Sequence, residues 1–175
     1  MKKTFFRHAT LSLAFVTTLT ILSTLAAPAL AQEVVRHKLP GSDFPIALAV
    51  EVPAGKKVVY LSGAGPMVFD KTAPPNSLAS FGDTKQQSAT TLAAIEATLK
   101  GLKMEMKDVV KMTVFLVGDP AKKDAIDFAG FMEAYRVYFG GKDHPELPAR
   151  STVKVAGLVN PGWLVEIEVI AVPSK

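Results

Sequence analysis

Two short segments near the C-terminus bring together residue types that could bind an anion and move a proton. Residues 148–156 read PARSTVKVA and residues 164–172 read LVEIEVIAV, with the turn-like GLVNPGW between them. Both are rich in β-branched residues and alternate apolar with polar positions, the pattern of a half-exposed strand. Strand side chains point to opposite faces with period 2. Val153 and Val155 therefore share one face of the first strand, and Arg150, Thr152 and Lys154 share the other. In the second strand Val165, Ile167 and Val169 oppose Glu166 and Glu168. If the apolar faces coincide, Arg150 and the glutamates share the remaining face.

That arrangement has two readings. In a simple hairpin Lys154 faces Glu166 and Thr152 faces Glu168, cross-strand pairs that contribute roughly 0.2–1 kcal/mol each. Arg150 then pairs with a carboxylate at the sheet end. In the other reading, its planar fork grips a substrate carboxylate through two hydrogen bonds, which lysine cannot reproduce. A glutamate beside it then accepts a proton from water. The alternation alone leaves both open.

The elements that must position these residues can be read upstream. Residues 32–44 are polar and read as a loose lead-in. Ile46–Val52 and Lys57–Leu61 are strand-like runs separated by Pro53-Ala54-Gly55, which predicts a hairpin. Ser62-Gly63-Ala64-Gly65-Pro66 breaks the second run, and a proline-containing loop extends to Gly82. Asp83 with Gln86 three residues on forms a capping-box pattern. Ala89, Leu92, Ala93, Glu96 and Leu99 follow at helical spacing, and Gly101 is placed to end that helix in a left-handed cap. Val109–Val117 reads as a strand. Asp119-Pro120 predicts the start of a second helix, with Phe128, Phe131, Met132, Tyr135 and Phe139 as its core stripe and Gly140-Gly141 as its stop. This order predicts an α+β domain, a mixed sheet with two helices on one face.

Composition narrows the chemistry. The chain contains no cysteine, which excludes disulfides, thiolate catalysis and cysteine-based metal sites. His37 and His144 lack ligand spacing, so no metal is expected. Lys2, Lys3 and Arg7, an apolar stretch from Leu11 to Leu25, and Ala29-Leu30-Ala31 before Gln32 have the layout of a secretory signal. The expectation is therefore a signal peptide at 1–31, one domain at 32–175, and a periplasmic or secreted protein that leaves the membrane once cleaved. Removing three basic residues and no acidic ones lowers the formal charge from +4 to +1, which gives no support to a nucleic-acid partner.

PARSTV and VEIEVIAV, with LSGAGP at 61–66, the segment 83–119 and DFAGFMEAYRVYF at 127–139, resemble the Rid family, the YjgF-like or L-PSP endoribonuclease-like imine deaminases. The resemblance covers nearly all the chain after residue 45. It implies a chorismate-mutase-like α+β subunit in a homotrimer with pockets between subunits. It also implies cofactor-free hydrolysis of 2-imino acids to 2-oxo acids and ammonia. On this resemblance Arg150 is the carboxylate-binding arginine, Glu166 is the residue that contacts the attacking water, and Ser62 and Gly63 line the pocket. Thr152 stands where the family has a pocket cysteine, and joins the expected substrate-binding set. Met132 occupies the place of a pocket asparagine, and the usual pocket tyrosine aligns with Ala49. Two rival readings accompany this one: a non-catalytic binder of small carboxylates, and an endoribonuclease.

Overall fold

The computed structural model describes residues 33–174, so the expected export signal and its cleavage site lie outside the described residues. Strand β4 (Val109–Val117) forms as its β-branched run predicts. Met112, Val114 and Leu116, all at 0% exposure, turn toward the helices. Strand β5 (Ala149–Val155) lies parallel to β4 on one side, and β6 (Val165–Ala171) antiparallel on the other. With β1 (Val35–Lys38), β2 (Ala47–Glu51) and β3 (Val59–Tyr60) they make one six-stranded mixed sheet of order β1-β2-β5-β4-β6-β3. A short helix α1 (Leu78–Phe81) interrupts the long loop. The two main helices, α2 (Thr84–Gly101) and α3 (Phe128–Tyr135), pack against each other beside the sheet, which gives the expected α+β class. Among the described residues no helix is long and apolar enough to cross a membrane.

The core joins Leu92, Ile95 and Leu99 of α2 to Phe131 and Tyr135 of α3 and to the inward residues of β4 and β6. Burying each of these large side chains contributes about 1.5–3 kcal/mol. The N-terminal half of α2 departs from the expected stripe. Thr84, Gln87, Ser88 and Thr91 are buried there, whereas Ala89 is exposed. Gln87 explains the polar face: its amide donates to the carbonyls of Gly82 and Gly162 at 2.9 and 3.0 Å and accepts from the Leu164 amide at 2.7 Å.

Helix ends follow local chemistry. The capping box of Asp83 and Gln86 forms in both directions, at 2.8 and 3.0 Å. The left-handed residue at the other end is Lys103 (φ 60°), not Gly101. Met104 N–H reaches the Leu99 carbonyl and Lys103 N–H reaches that of Lys100, a Schellman closure sealed by two buried apolar side chains. Asp119-Pro120 caps only a single 3-10 turn (Pro120–Lys122), because Lys123 and Asp124 both take positive φ. α3 starts later, with Asp127 accepting from the Gly130 amide.

Neither expected hairpin forms. β2 and β3 lie far apart in the strand order, and β2 pairs instead with β1, drawn from the segment read as a loose lead-in. Arg36 accounts for that order: its guanidinium donates to the carbonyls of Lys107, Val109 and Leu147 at 2.7, 2.9 and 2.8 Å. β5 and β6 are likewise separated by β4. The connection containing Asn160-Pro161-Gly162 spans two strand spacings, about 10 Å, rather than one.

Candidate functional site

The placement of β4 between β5 and β6 decides where the expected site residues lie. Arg150, Thr152 and Lys154 are in register with Met112, Val114 and Leu116, on the helix-covered face. Glu166 and Glu168 are in register with Phe115 and Thr113, on the opposite face. Val153, which was expected to point to the core, is 42% exposed. Alternation within each strand is as expected, but the two apolar faces do not coincide. Arg150 and Glu166 thus stand on opposite faces of one sheet, and the Lys154–Glu166 and Thr152–Glu168 pairs do not occur. Lys154 pairs with Asp124 at 2.9 Å instead.

A cation can face inward on β5 because the layer above it is aromatic. The Arg150 guanidinium carbon lies 4.2 Å from the centroid of Tyr135, 5.1 Å from Phe131, 5.5 Å from Phe44 and 5.8 Å from Phe128. The negative faces of such rings attract a guanidinium, by about 0.5–2 kcal/mol per contact depending on desolvation. Its Nη1 donates to the Met132 sulfur at 3.2 Å. None of the ion pairs among the described residues includes Arg150. Burial pushes its pKa below the ordinary arginine value, with Tyr135 acting in the opposite direction. A guanidinium starts so far above neutrality that it keeps its charge. The result is a half-buried cation without a counter-ion among the described residues, and such a charge attracts an anion.

Tyr135 is fixed in turn. It is fully buried, its hydroxyl donates to the Pro45 carbonyl at 2.8 Å, and desolvation pushes its pKa up to about 12. Thr152, one step along the same face from Arg150, has a buried hydroxyl without a hydrogen-bond partner among the described residues. Buried hydroxyls are rarely left unpaired, so this one can serve a bound molecule or a water.

The second group forms on the open face. Ala64 bonds to Ile167 in both directions, at 2.9 and 3.0 Å, and holds residues 62–65 against β6. Gly63 abuts Glu166 so closely that a Cβ there would overlap the carboxylate, which is why a glycine occupies the position. Ser62 beside it is exposed and Glu166 is half-buried. Glu166 has no ion-pair partner among the described residues. Glu168 lies apart, in a shallow hollow with Tyr60, Lys111 and Thr113.

Ser62, Gly63 and Glu166 therefore come together, as do Arg150 and Thr152, but the two groups remain separate within one chain. Ala49 is an exposed residue of β2 opposite His37. No local pattern marks Phe44, and helical spacing assigns Tyr135 and the α3 phenylalanines to the core alone. Their helical spacing looks the same whether a stripe covers aliphatic groups or an arginine.

Residues 49–173 match the family model described as Endoribonuclease L-PSP. A RutC family protein of Pyrococcus horikoshii is 40% identical over 90 residues, 51% of this chain and 63% of the relative, so the match spans less than two thirds of that protein. The crystal structure of E. coli TdcF with bound serine superimposes with a TM-score of 0.51 at 28% identity, covering 82% of this chain and 99% of TdcF. A Rid family protein of Yersinia pestis gives a TM-score of 0.57 at 22% identity, over 79% of this chain and 96% of its own, a likeness of fold.

Proposed function

Since the chain belongs to the Endoribonuclease L-PSP family, the YjgF-like or Rid proteins, we propose that it hydrolyses small 2-imino carboxylic acids to 2-oxo acids and ammonia. The observation that carries this reading is the unpaired Arg150 guanidinium in its aromatic sheath. Its edge still offers N–H groups that a carboxylate can take up as a bidentate pair. Serine bound to TdcF, a relative of the same fold, supports a small ligand of this kind.

The chemistry asks little of the protein. Arg150 fixes the carboxylate, and the Thr152 hydroxyl, otherwise unpartnered, donates to the nitrogen or oxygen on the adjacent carbon. Glu166 accepts a proton from a water, whose oxygen bonds to the imine carbon as the C=N π pair moves to nitrogen. Glu166 returns that proton to nitrogen to give the carbinolamine, whose hydroxyl proton then passes to nitrogen as the oxygen pair closes C=O and the C–N bond breaks, releasing ammonia and the 2-oxo acid. Holding the reactants in register supplies most of the acceleration.

Arg150 and Glu166 lie on opposite sheet faces, so one substrate meets both only where one subunit supplies the arginine and a neighbour the glutamate. The proposed assembly is a homotrimer with such pockets between subunits. Co-expression tests it: Arg150→Ala and Glu166→Ala are each inactive alone. In mixed trimers about a quarter of the inter-subunit pockets regain both groups, because closed symmetry repeats one heterologous contact. The assay is ammonia release from 2-iminobutyrate generated in place, corrected for spontaneous hydrolysis. Mixed trimers without activity would count against shared sites, and a monomeric particle in light scattering would end the assembly reading. If the protein binds 2-oxobutyrate but never accelerates hydrolysis, the rival carboxylate-binding reading replaces catalysis. Met132 favours that rival, since its thioether holds an Arg150 donor. Export is part of the proposal, and N-terminal sequencing of protein from its host should begin at or near Gln32.

A further inference from the structure

We propose that Phe44 is a specificity-determining residue, which grades carboxylate ligands at Arg150 by the apolar length of the chain they carry. The inference rests on the reading of Arg150 as a carboxylate clamp. Four rings surround the guanidinium, but they are not equivalent. Phe131 and Tyr135 are fully buried and Met132 is 7% exposed, so these three form the floor. Phe44 is 37% exposed and lies outside the buried core cluster. It reaches Arg150 from the loop before β2, with its ring 5.5 Å from the guanidinium and stacked 6.4 Å from Phe128 at 18°. Phe44 is thus the rim of the clamp.

An exposed ring on a loop would ordinarily be free to move, yet this loop is tied on both sides of the ring. The Phe44 amide donates to Ser42 Oγ at 3.1 Å, and its carbonyl accepts from the Ile46 amide at 2.8 Å. The next carbonyl, of Pro45, accepts from Tyr135, and the Ala47 amide donates to Pro148, two residues before Arg150. The chain that carries Phe44 is therefore pinned to the residue beneath the guanidinium and to the strand that carries it.

A carboxylate docked on the edge of Arg150 projects its remaining chain within reach of that ring. Phe44, Phe128 and Phe131 offer no hydrogen bonds, and the Met132 thioether is already engaged. A hydroxylated or charged chain would lose water there without replacement, whereas methylenes would gain contact.

The test is calorimetric titration of the purified protein with pyruvate, 2-oxobutyrate, 2-oxopentanoate and 2-oxohexanoate, with 2-oxoglutarate as the charged comparison. Full burial of a methylene corresponds to about fourfold in affinity, so Kd should fall by up to about that factor per added carbon. Phe44→Ala should flatten the gradient, read as the ratio of the pyruvate Kd to the 2-oxohexanoate Kd, and Phe44→Leu should restore most of it. An unchanged gradient in Phe44→Ala would overturn the inference, as would 2-oxoglutarate binding the parent as tightly as 2-oxohexanoate. A gradient without any imine hydrolysis would leave Phe44 in its role and sink only the deaminase reading. If none of these acids binds the parent, the clamp itself is wrong and this inference goes with it.

Discussion

Gly63→Ala separates the role of Glu166 from the stability of the fold. A Cβ at Gly63 would meet only Glu166 side-chain atoms among its nearest contacts, with Cδ at 3.0 Å, Cγ at 3.3 Å and the carboxylate oxygen closer still. No backbone atom is among them, and Gly63 does not have positive φ, so alanine brings no backbone strain. The overlap is relieved when Glu166 turns about its side-chain torsions, at about 0.5–1.5 kcal/mol for an off-rotamer position. Against this, alanine restricts the unfolded chain and returns about 0.4–1 kcal/mol. The net change in stability should be within about 1 kcal/mol, a small shift of the urea midpoint at constant slope. The carboxylate, however, must move by the order of 1 Å, and a misplacement of that size costs about 100-fold in rate. Binding of 2-oxobutyrate should change far less than turnover, because in the proposed pocket its carboxylate is held by a neighbouring subunit's arginine, whereas the added methyl group meets Glu166 side-chain atoms of its own chain. Steady-state ammonia release, product titration and urea denaturation of one variant read the three quantities separately. Full turnover in Gly63→Ala would refute the placement of Glu166 as the group that handles water. A loss of stability well above 1 kcal/mol would refute the argument that only a flexible side chain stands in the way.

Two further variants probe the frame. Gln87→Leu removes the partner of the part-buried Gly82 carbonyl and orphans the buried Gly162 carbonyl and Leu164 amide, and with about 1–3 kcal/mol for each of the two buried groups it should destabilise by roughly 2–6 kcal/mol in urea denaturation; a change below about 1 kcal/mol would mean that other partners replace the amide. Burial pushes the Tyr135 pKa from the ordinary tyrosine value of about 10 up to about 12, so its neutral form contributes stability fully below pH 10 that is lost as pH rises toward 12. The parent should therefore lose on the order of 1 kcal/mol more than Tyr135→Phe between pH 9 and 11 in denaturation curves, and equal pH dependence would contradict the burial argument.

Local chemistry made the elements legible, and non-local pairing hid their arrangement. The capping box at Asp83 and the β-branched run of β4 could be read because each depends on residues a few positions apart. Strand order could not, since the hairpin reading assumed that neighbours in sequence pair in space, and β4 displaces both assumed pairs. β1 was missed for the same reason. The polar composition of residues 32–44 suggests a loose lead-in, but three carbonyls more than 70 residues away satisfy Arg36. The start of α3 was placed too early because Asp119-Pro120 is a sound helix opening that Lys123 and Asp124 terminate after one turn. The left-handed closure of α2 fell on a lysine where glycine was expected, because the Leu99–Met104 contact and two backbone hydrogen bonds outweigh the modest strain.

Type, spacing and the family resemblance single out candidate site residues, but the structure puts Arg150 and Glu166 on opposite faces rather than one, and that difference bears on the chemistry. Period-2 alternation says which residues share a face of one strand but not which face is covered. On β6 the aliphatic residues face the helices; on β5 the polar ones do, under an aromatic layer that accepts a guanidinium. Had both strands followed the same rule, Arg150 and Glu166 would lie on one face, free to neutralise each other and leave neither for a ligand. Their separation keeps both charges unpaired among the described residues. It also leaves Val153 exposed on the sheet face that bears Glu166. In the proposed trimer the contact that covers that face also brings a neighbour's arginine within reach of Glu166, so assembly and completion of the pocket are one event. Subunit dissociation should then abolish hydrolysis even though Arg150 and its aromatic sheath persist in each chain.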